Sequence, residues 1–242
     1  MEELGAVVLV TGLAGIGGTG LGGGLGCLFR RDSSRVVSLL LSFAAGVMVA
    51  VVCFDLLEEA AGQGGLFQVA AGILAGYGVT AALNLLLERG RRWQRSGLFL
   101  AGVVMAAAIA LHNVPEGMVI GASFAGRDAG SGWMMAAVIG LHNIPEGMAV
   151  TVPLVAGGER RARAAALAAL TGAPTVLGAA VGFCLGTMGP LALTAALSFA
   201  SGAMLYVVFG ELLPEAAELW RSRLPALAAV AGMVVGLGIT RG

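Results

Sequence analysis

Residues 97–123 read GLFLAGVVMAAAIALHNVPEGMVIGAS. The only formal charge in the stretch is Glu116, and its length exceeds the roughly 20 apolar residues that an α-helix needs to cross a bilayer. A polar trio, His112, Asn113 and Glu116, nevertheless sits past its middle. The octapeptide holding that trio, LHNVPEGM at 111–118, returns as LHNIPEGM at 141–148 inside a second apolar stretch, and the two copies contain both histidines of the chain. Reading one stretch as a membrane helix therefore commits the other.

The rest of the composition agrees. Of the 242 residues, 58% are hydrophobic and 12% charged, against roughly 25% charged in an ordinary soluble domain. The implied class is an all-α polytopic membrane protein forming a single transmembrane domain, 1–242. Eight apolar stretches are expected to span: 4–28, 36–60, 66–87, 97–123, 131–156, 164–188, 191–217 and 224–240. They are read as helices because a lipid-exposed backbone must satisfy its own hydrogen bonds. The start, MEELGAVVLV, is acidic where a secretory signal is basic, so it reads as a retained first span.

Sidedness follows from arginine, which supplies all 14 cationic side chains. Arg30, Arg31 and Arg35 follow the first span; Arg89, Arg91, Arg92 and Arg95 the third; Arg160, Arg161 and Arg163 the fifth; Arg221 and Arg223 the seventh. Only Arg127 and Arg241 fall on the other side. Positive charge collects in cytoplasmic loops, which places both termini outside. The zero formal net charge hides this asymmetry, which speaks of orientation in a cell (inner) membrane and of no nucleic-acid partner.

A fainter repetition links 41–61, LSFAAGVMVAVVCFDLLEEAA, to 197–217, LSFASGAMLYVVFGELLPEAA. The two stretches run in opposite directions through the bilayer, so spans one to three and six to eight read as inverted repeats around the central pair, an arrangement that puts transporter ligand sites near the midplane. Glycines in span one, GLAGIGGTGLGGGLGC, read as a close-packing face or an unwound stretch of helix, the former being favoured. Cys27, Cys53 and Cys184 have no metal-type spacing and read as small packing residues.

On a helix, His112 and Glu116 share a face four residues apart, with Asn113 adjacent; His142, Glu146 and Asn143 repeat the arrangement. Pro115 and Pro145 remove an amide hydrogen and free a carbonyl one turn back. An ionised side chain at the centre of a spanning helix costs about 2.5–3.5 kcal/mol on insertion scales. A proton or a divalent cation held between Glu116 and Glu146 would offset that. The donor set of imidazole, carboxylate and amide oxygen suits Zn²⁺, Fe²⁺, Mn²⁺ or Cd²⁺ better than Cu(I).

With these motifs the sequence resembles the ZIP family of divalent metal transporters, whose fourth and fifth helices carry HNxPEG and a related HxxPEG. The resemblance extends to SFAAGVM in the second helix and to the acidic end of the seventh. It implies metal uptake into the cytoplasm through a binuclear centre: His112, Glu116, His142 and Glu146 match the primary site, Asn113 and Asn143 with the shared glutamates match the second, and Met48 approaches the first. Where many members place a sixth-helix carboxylate, LTGAPTVLG offers Thr175, which weakens the second position. The family's histidine-rich cytoplasmic loop is absent. Dimers are common in the family, so a homodimer is a candidate assembly.

Acidic residues mark pathway mouths, since carboxylates there concentrate cations: Asp55, Glu58 and Glu59 close the outer end of span two, and Glu211 and Glu215 approach the inner end of span seven. Glu218 reads as a solvated helix end. The expected function is transport of divalent transition metals, zinc foremost, by a protein that is not an enzyme and carries no cofactor besides its cargo. Two other readings remain at this stage: a cation/proton antiporter using the same glutamates, and an intramembrane metal-dependent hydrolase.

Overall fold

The computed structural model describes residues 2–28, 34–91, 98–125 and 129–241. Among them there is no strand. They run as eight helical rods: α1 (2–26), α2 (Ser34–Gln63), α3 (Leu66–Arg91), α4 (Leu98–Ala125), α5 (Ala129–Ala156), α6 (Arg161–Thr187), α7 (Pro190–Leu219) and α8 (Leu224–Arg241). Six of them, α1 to α3 and α5 to α7, are long and apolar enough to cross a membrane, and α8 carries a shorter apolar stretch, Leu224–Gly238. Of the arginines behind the sidedness argument, Arg30, Arg31, Arg92, Arg95 and Arg127 lie outside the described residues.

Outward faces carry bare apolar side chains, with Leu13 75%, Leu66 84% and Phe67 88% exposed. Burying a leucine is worth about 1.5–3 kcal/mol in water, so such faces would be costly in an aqueous solvent and are at home in hydrocarbon. The protein is an integral membrane protein. Its interior combines large apolar groups, Leu41, Leu56, Ile109, Leu154 and Leu197 among them, with fully buried polar ones.

Small residues set the packing. A Cβ on Gly117 would collide with the carbonyl of Thr175, and one on Gly147 with the carbonyl of Thr19. The glycine that ends each PEG motif thus lets α4 lie directly on α6 and α5 on α1. Elsewhere Gly46 meets Ala229 and Gly232 meets Phe43, joining α2 to α8, while Gly202 meets Ile73 and Gly76 meets Phe199, joining α7 to α3. Close backbone approach through small residues is how membrane helices gain packing that hydrocarbon gives no other reason to form.

Four rods depart from regular α geometry. Leu13–Gly17 in α1, Val52–Leu56 in α2 and Val208–Leu212 in α7 are π-helical turns, and α6 ends its first half at Thr171 before restarting at Pro174. A π-turn or a break shifts carbonyls off the regular ladder, and such segments are frequent at functional sites. Between α5 and α6 the chain turns through Gly158, whose φ of 99° is a left-handed conformation that glycine adopts without a Cβ penalty. Glu159 N–H donates to the Leu154 carbonyl and Gly158 N–H to that of Val155, at 3.0 and 3.1 Å, closing α5 with a Schellman motif. The Arg35 guanidinium lies 5.6 Å from the Trp220 ring centroid, a cation–π contact linking the start of α2 to the end of α7.

Candidate metal centre

Both octapeptides are helical throughout, prolines included, and α4 and α5 pack along one another. Their polar trios are buried: Glu116, Glu146, Asn113 and Asn143 at 0% exposure, His112 at 3% and His142 at 5%. Each trio therefore faces protein, where an ionisable group in a membrane segment has to find a partner.

Three of the six side chains meet. Nε2 of His142 lies 3.1 Å from Oε1 of Glu146 on its own helix and 3.5 Å from Oε1 of Glu116 on the facing one. One donor atom from each of Glu116, His142 and Glu146 falls within 4.8 Å of the others, close enough for all three to reach one ion. Glu116 Oε2 and Glu146 Oε2 are buried with no hydrogen-bond partner among the described residues. Unpaired buried carboxylate oxygens are expensive, and a cation coordinated by oxygen and nitrogen would satisfy them.

His112 stands apart from that group. Its Nε2 is 2.5 Å from Oε2 of Glu211, on the π-turn of α7. In sequence His112 groups with the other three and Glu211 falls near a pathway mouth; in the structure these two are paired. Glu211, 17% exposed, also lines a cavity of about 200 Å³ between α3, α4 and α7, together with His112, Thr80 and Asn84. Asn84 donates to the Tyr206 hydroxyl at 2.9 Å. Neither had been singled out, although a lone amide within AALNLLL is the kind of polar residue that membrane helices seldom carry on a lipid face.

The two asparagines are held alike. Asn113 Nδ2 donates to the carbonyl of Thr171 at 2.8 Å, and that carbonyl is left over where α6 breaks. Asn143 Nδ2 donates to the carbonyl of Ala14, within the π-turn of α1, at 3.4 Å. Each irregular backbone segment thus consumes the donor end of one amide and fixes the flip. The acceptor ends, Asn113 Oδ1 and Asn143 Oδ1, are buried with no partner among the described residues, and oxygen is the end able to ligate a cation. Thr175 is buried with its hydroxyl likewise unpartnered, and it packs against Gly15. It is a neutral donor where a carboxylate was looked for.

The remaining candidates are more scattered. Met48 is buried in the core of α2. Asp55 is half-buried on the π-turn of α2, with Oδ2 unpartnered among the described residues. Glu58 is exposed and Glu59 half-buried, the latter accepting a hydrogen bond from Gln63 Nε2 at 3.2 Å. Glu215 is half-buried on α7 just beyond Pro214.

Known proteins share this arrangement of sequence. The family model described as ZIP zinc transporter matches residues 88–241, which take in both octapeptides. The zinc transporter ZupT of Chlorobium luteolum is 34% identical over 259 aligned positions that cover 97% of each chain. The chain belongs to the ZIP family. A ZupT from Akkermansia muciniphila is 33% identical, with 95% of this chain and 94% of that one aligned. The zinc transporter GufA of Myxococcus xanthus is 39% identical over 126 residues, about half of either chain. ZIP proteins are transporters and not enzymes, which removes the hydrolase reading, and the family's divalent-metal chemistry agrees with the His/Glu cluster between α4 and α5.

Proposed function

We propose that the protein takes up divalent transition metals into the cytoplasm, zinc foremost, with Fe²⁺, Mn²⁺ and Cd²⁺ as further cargo. The route crosses an inner membrane spanned by all eight rods with both termini outside. The observation that carries this reading is the convergence of Glu116, His142 and Glu146 donors within 4.8 Å, fully buried between two helices. Two carboxylates in a low-dielectric interior repel one another strongly, and an ion of charge +2 turns that repulsion into attraction. Asn113 Oδ1, Asn143 Oδ1 and the Thr175 hydroxyl supply neutral oxygen for a second, weaker position, and the family resemblance assigns Met48 to the primary one. Asp55, Glu58 and Glu59 draw cations toward the centre from outside, while Glu211 and Glu215 receive them on the inner side.

An inverted repeat explains why the motif occurs twice. Counterparts in the two outer units differ by 156 positions (Phe43 and Phe199, Gly46 and Gly202, Gly76 and Gly232), and those in the central pair by 30 (Gly117 and Gly147). Contacts obey both offsets at once. Gly46 against Ala229 becomes Gly202 against Ile73; Gly147 against Thr19 becomes Gly117 against Thr175; Gly22 against Ile144 becomes Gly178 against Val114. The π-turns Val52–Leu56 and Val208–Leu212 obey the same rule. A two-fold axis in the membrane plane brings the octapeptides to one depth, where two half-sites make one.

Uptake into proteoliposomes of purified protein, with Zn²⁺, Cd²⁺, Mn²⁺ and Fe²⁺ offered separately, tests the reading. Accumulation of zinc above protein-free vesicles is expected. Zinc uptake indistinguishable from the protein-free vesicles would overturn it.

A further inference from the structure

The two-fold relation is broken at one place. Offsets of 156 and 30 carry Glu211 onto Asp55 and His112 onto His142, so the ion pair of His112 with Glu211 has a counterpart in His142 with Asp55. That counterpart is not formed. His142 is drawn in between Glu146 and Glu116, and Oδ2 of Asp55 is left buried with no partner among the described residues. A cavity adjoins His112 and Glu211, on the side that the positive-inside reading makes cytoplasmic.

We infer that the two histidines exchange roles, and that this exchange is the switch between the two accessible states of the protein. In the state described here His112 is parked on Glu211, and His142 completes the carboxylate cluster. In the other state His142 is parked on Asp55, His112 rejoins Glu116 and Glu146, and the cavity beside Glu211 closes. Both acids sit on π-turns, Asp55 in Val52–Leu56 and Glu211 in Val208–Leu212, where the i to i+4 ladder is already interrupted and a helix bends at low cost. The groups facing each histidine complete the set. Glu211 pairs directly with the parked His112, which also lies within the field of Glu116 and Glu146, and those two glutamates make the direct contacts to His142. Metal is held by one imidazole and two carboxylates in either state, while the displaced histidine marks which side is open. This inference rests on the transport reading for its purpose, but the exchange itself is a statement about two conformations.

Its test is a population measurement. Thr80 is 9% exposed and lines the cavity, so a Thr80→Cys variant in a background with Cys27→Ala, Cys53→Ala and Cys184→Ala reports an open cavity through its rate of alkylation by a soluble maleimide. A ligand or contact that favours one state shifts the equilibrium by its differential free energy. Asp55→Asn removes the partner used only in the other state and is expected to raise the alkylation rate; Glu211→Gln removes the partner used here and is expected to lower it. Opposite shifts support the exchange. A rate unaltered by Asp55→Asn, or moved in the same direction by both, overturns it. Should either acid variant fail to fold, oxidative cross-linking of an Asp55→Cys, His142→Cys double variant replaces it: a disulfide supports the second position of His142, and its absence, when His112→Cys, Glu211→Cys does cross-link, refutes it. Zinc uptake by the protein without any substitution separates the two claims. Uptake with equal alkylation rates removes the exchange and leaves transport standing, whereas opposite shifts without uptake of any metal keep the exchange and remove the transport reading.

Discussion

Glu116 and His142 belong to different helices, yet Oε1 of one lies 3.5 Å from Nε2 of the other at a point buried from every side. Neither octapeptide could build that contact alone. Its existence requires α4 and α5 to bring their polar faces together, and the energetic reason is that each face separately would leave a carboxylate in hydrocarbon. The centre is therefore as much a reason for the helix pairing as a product of it.

Removing either carboxylate should stop transport. Glu116→Ala and Glu146→Ala are each expected to lower zinc uptake by at least about tenfold, the figure typical even of a group one shell beyond a metal's ligands. Size-exclusion profiles and far-ultraviolet circular dichroism should match the parent, because the substitutions remove a buried charge and leave apolar helix packing in place. Uptake assays run beside those two measurements check it.

The asparagines should act on stability as well as on flux. Asn113→Ala leaves the Thr171 carbonyl without its donor, and an unsatisfied buried acceptor costs about 1–3 kcal/mol. A lower thermal midpoint in detergent is expected, together with a loss of uptake smaller than that of the glutamate variants, since a neutral oxygen and no charge is removed. Asn143→Ala should behave alike but more mildly, its bond to Ala14 being the longer at 3.4 Å.

Much of this was legible in the sequence, and the part that was not has a physical cause. Apolar length and arginine placement marked each rod to within a few residues, because the thickness of hydrocarbon fixes helix length regardless of packing. The duplicated motif pointed to one site because its residue types are costly anywhere else, and Glu116, His142 and Glu146 do come together. Spacing could not say that His112 would turn to Glu211: residues 99 positions apart in sequence meet only through packing of α4 on α7, and the π-turn at Val208–Leu212 that aims Glu211 leaves no trace in an apolar period. Thr171 escaped notice for a related reason, since its contribution is a backbone carbonyl exposed by a helix break, a role open to any residue type.

Glycine spacing in the motif should prove structural and not catalytic. Gly117→Ala and Gly147→Ala force a Cβ into the Thr175 and Thr19 carbonyls, and overpacking typically costs about 1–3 kcal/mol, occasionally more. Gly24→Ala meets nothing within 4 Å and should leave the melting temperature unchanged. Differential scanning fluorimetry of the three variants in one detergent decides it.

Sidedness can be checked without reference to transport. In a background free of native cysteines, a cysteine placed at Gly158 in the turn after α5 should react with an impermeant maleimide only from the cytoplasmic face. One added beyond the C-terminus should react only from outside. Labelling of intact cells against inverted vesicles gives the answer.

The central claim is that two copies of one octapeptide make a single site, and equilibrium zinc binding to the purified protein tests it most directly. Glu116→Ala, Glu146→Ala and the double variant should all lose high-affinity binding to the same extent, because either half is useless without the other. If each single variant kept half the bound zinc and only the double variant lost it all, the motifs would be two independent sites and the account would be wrong.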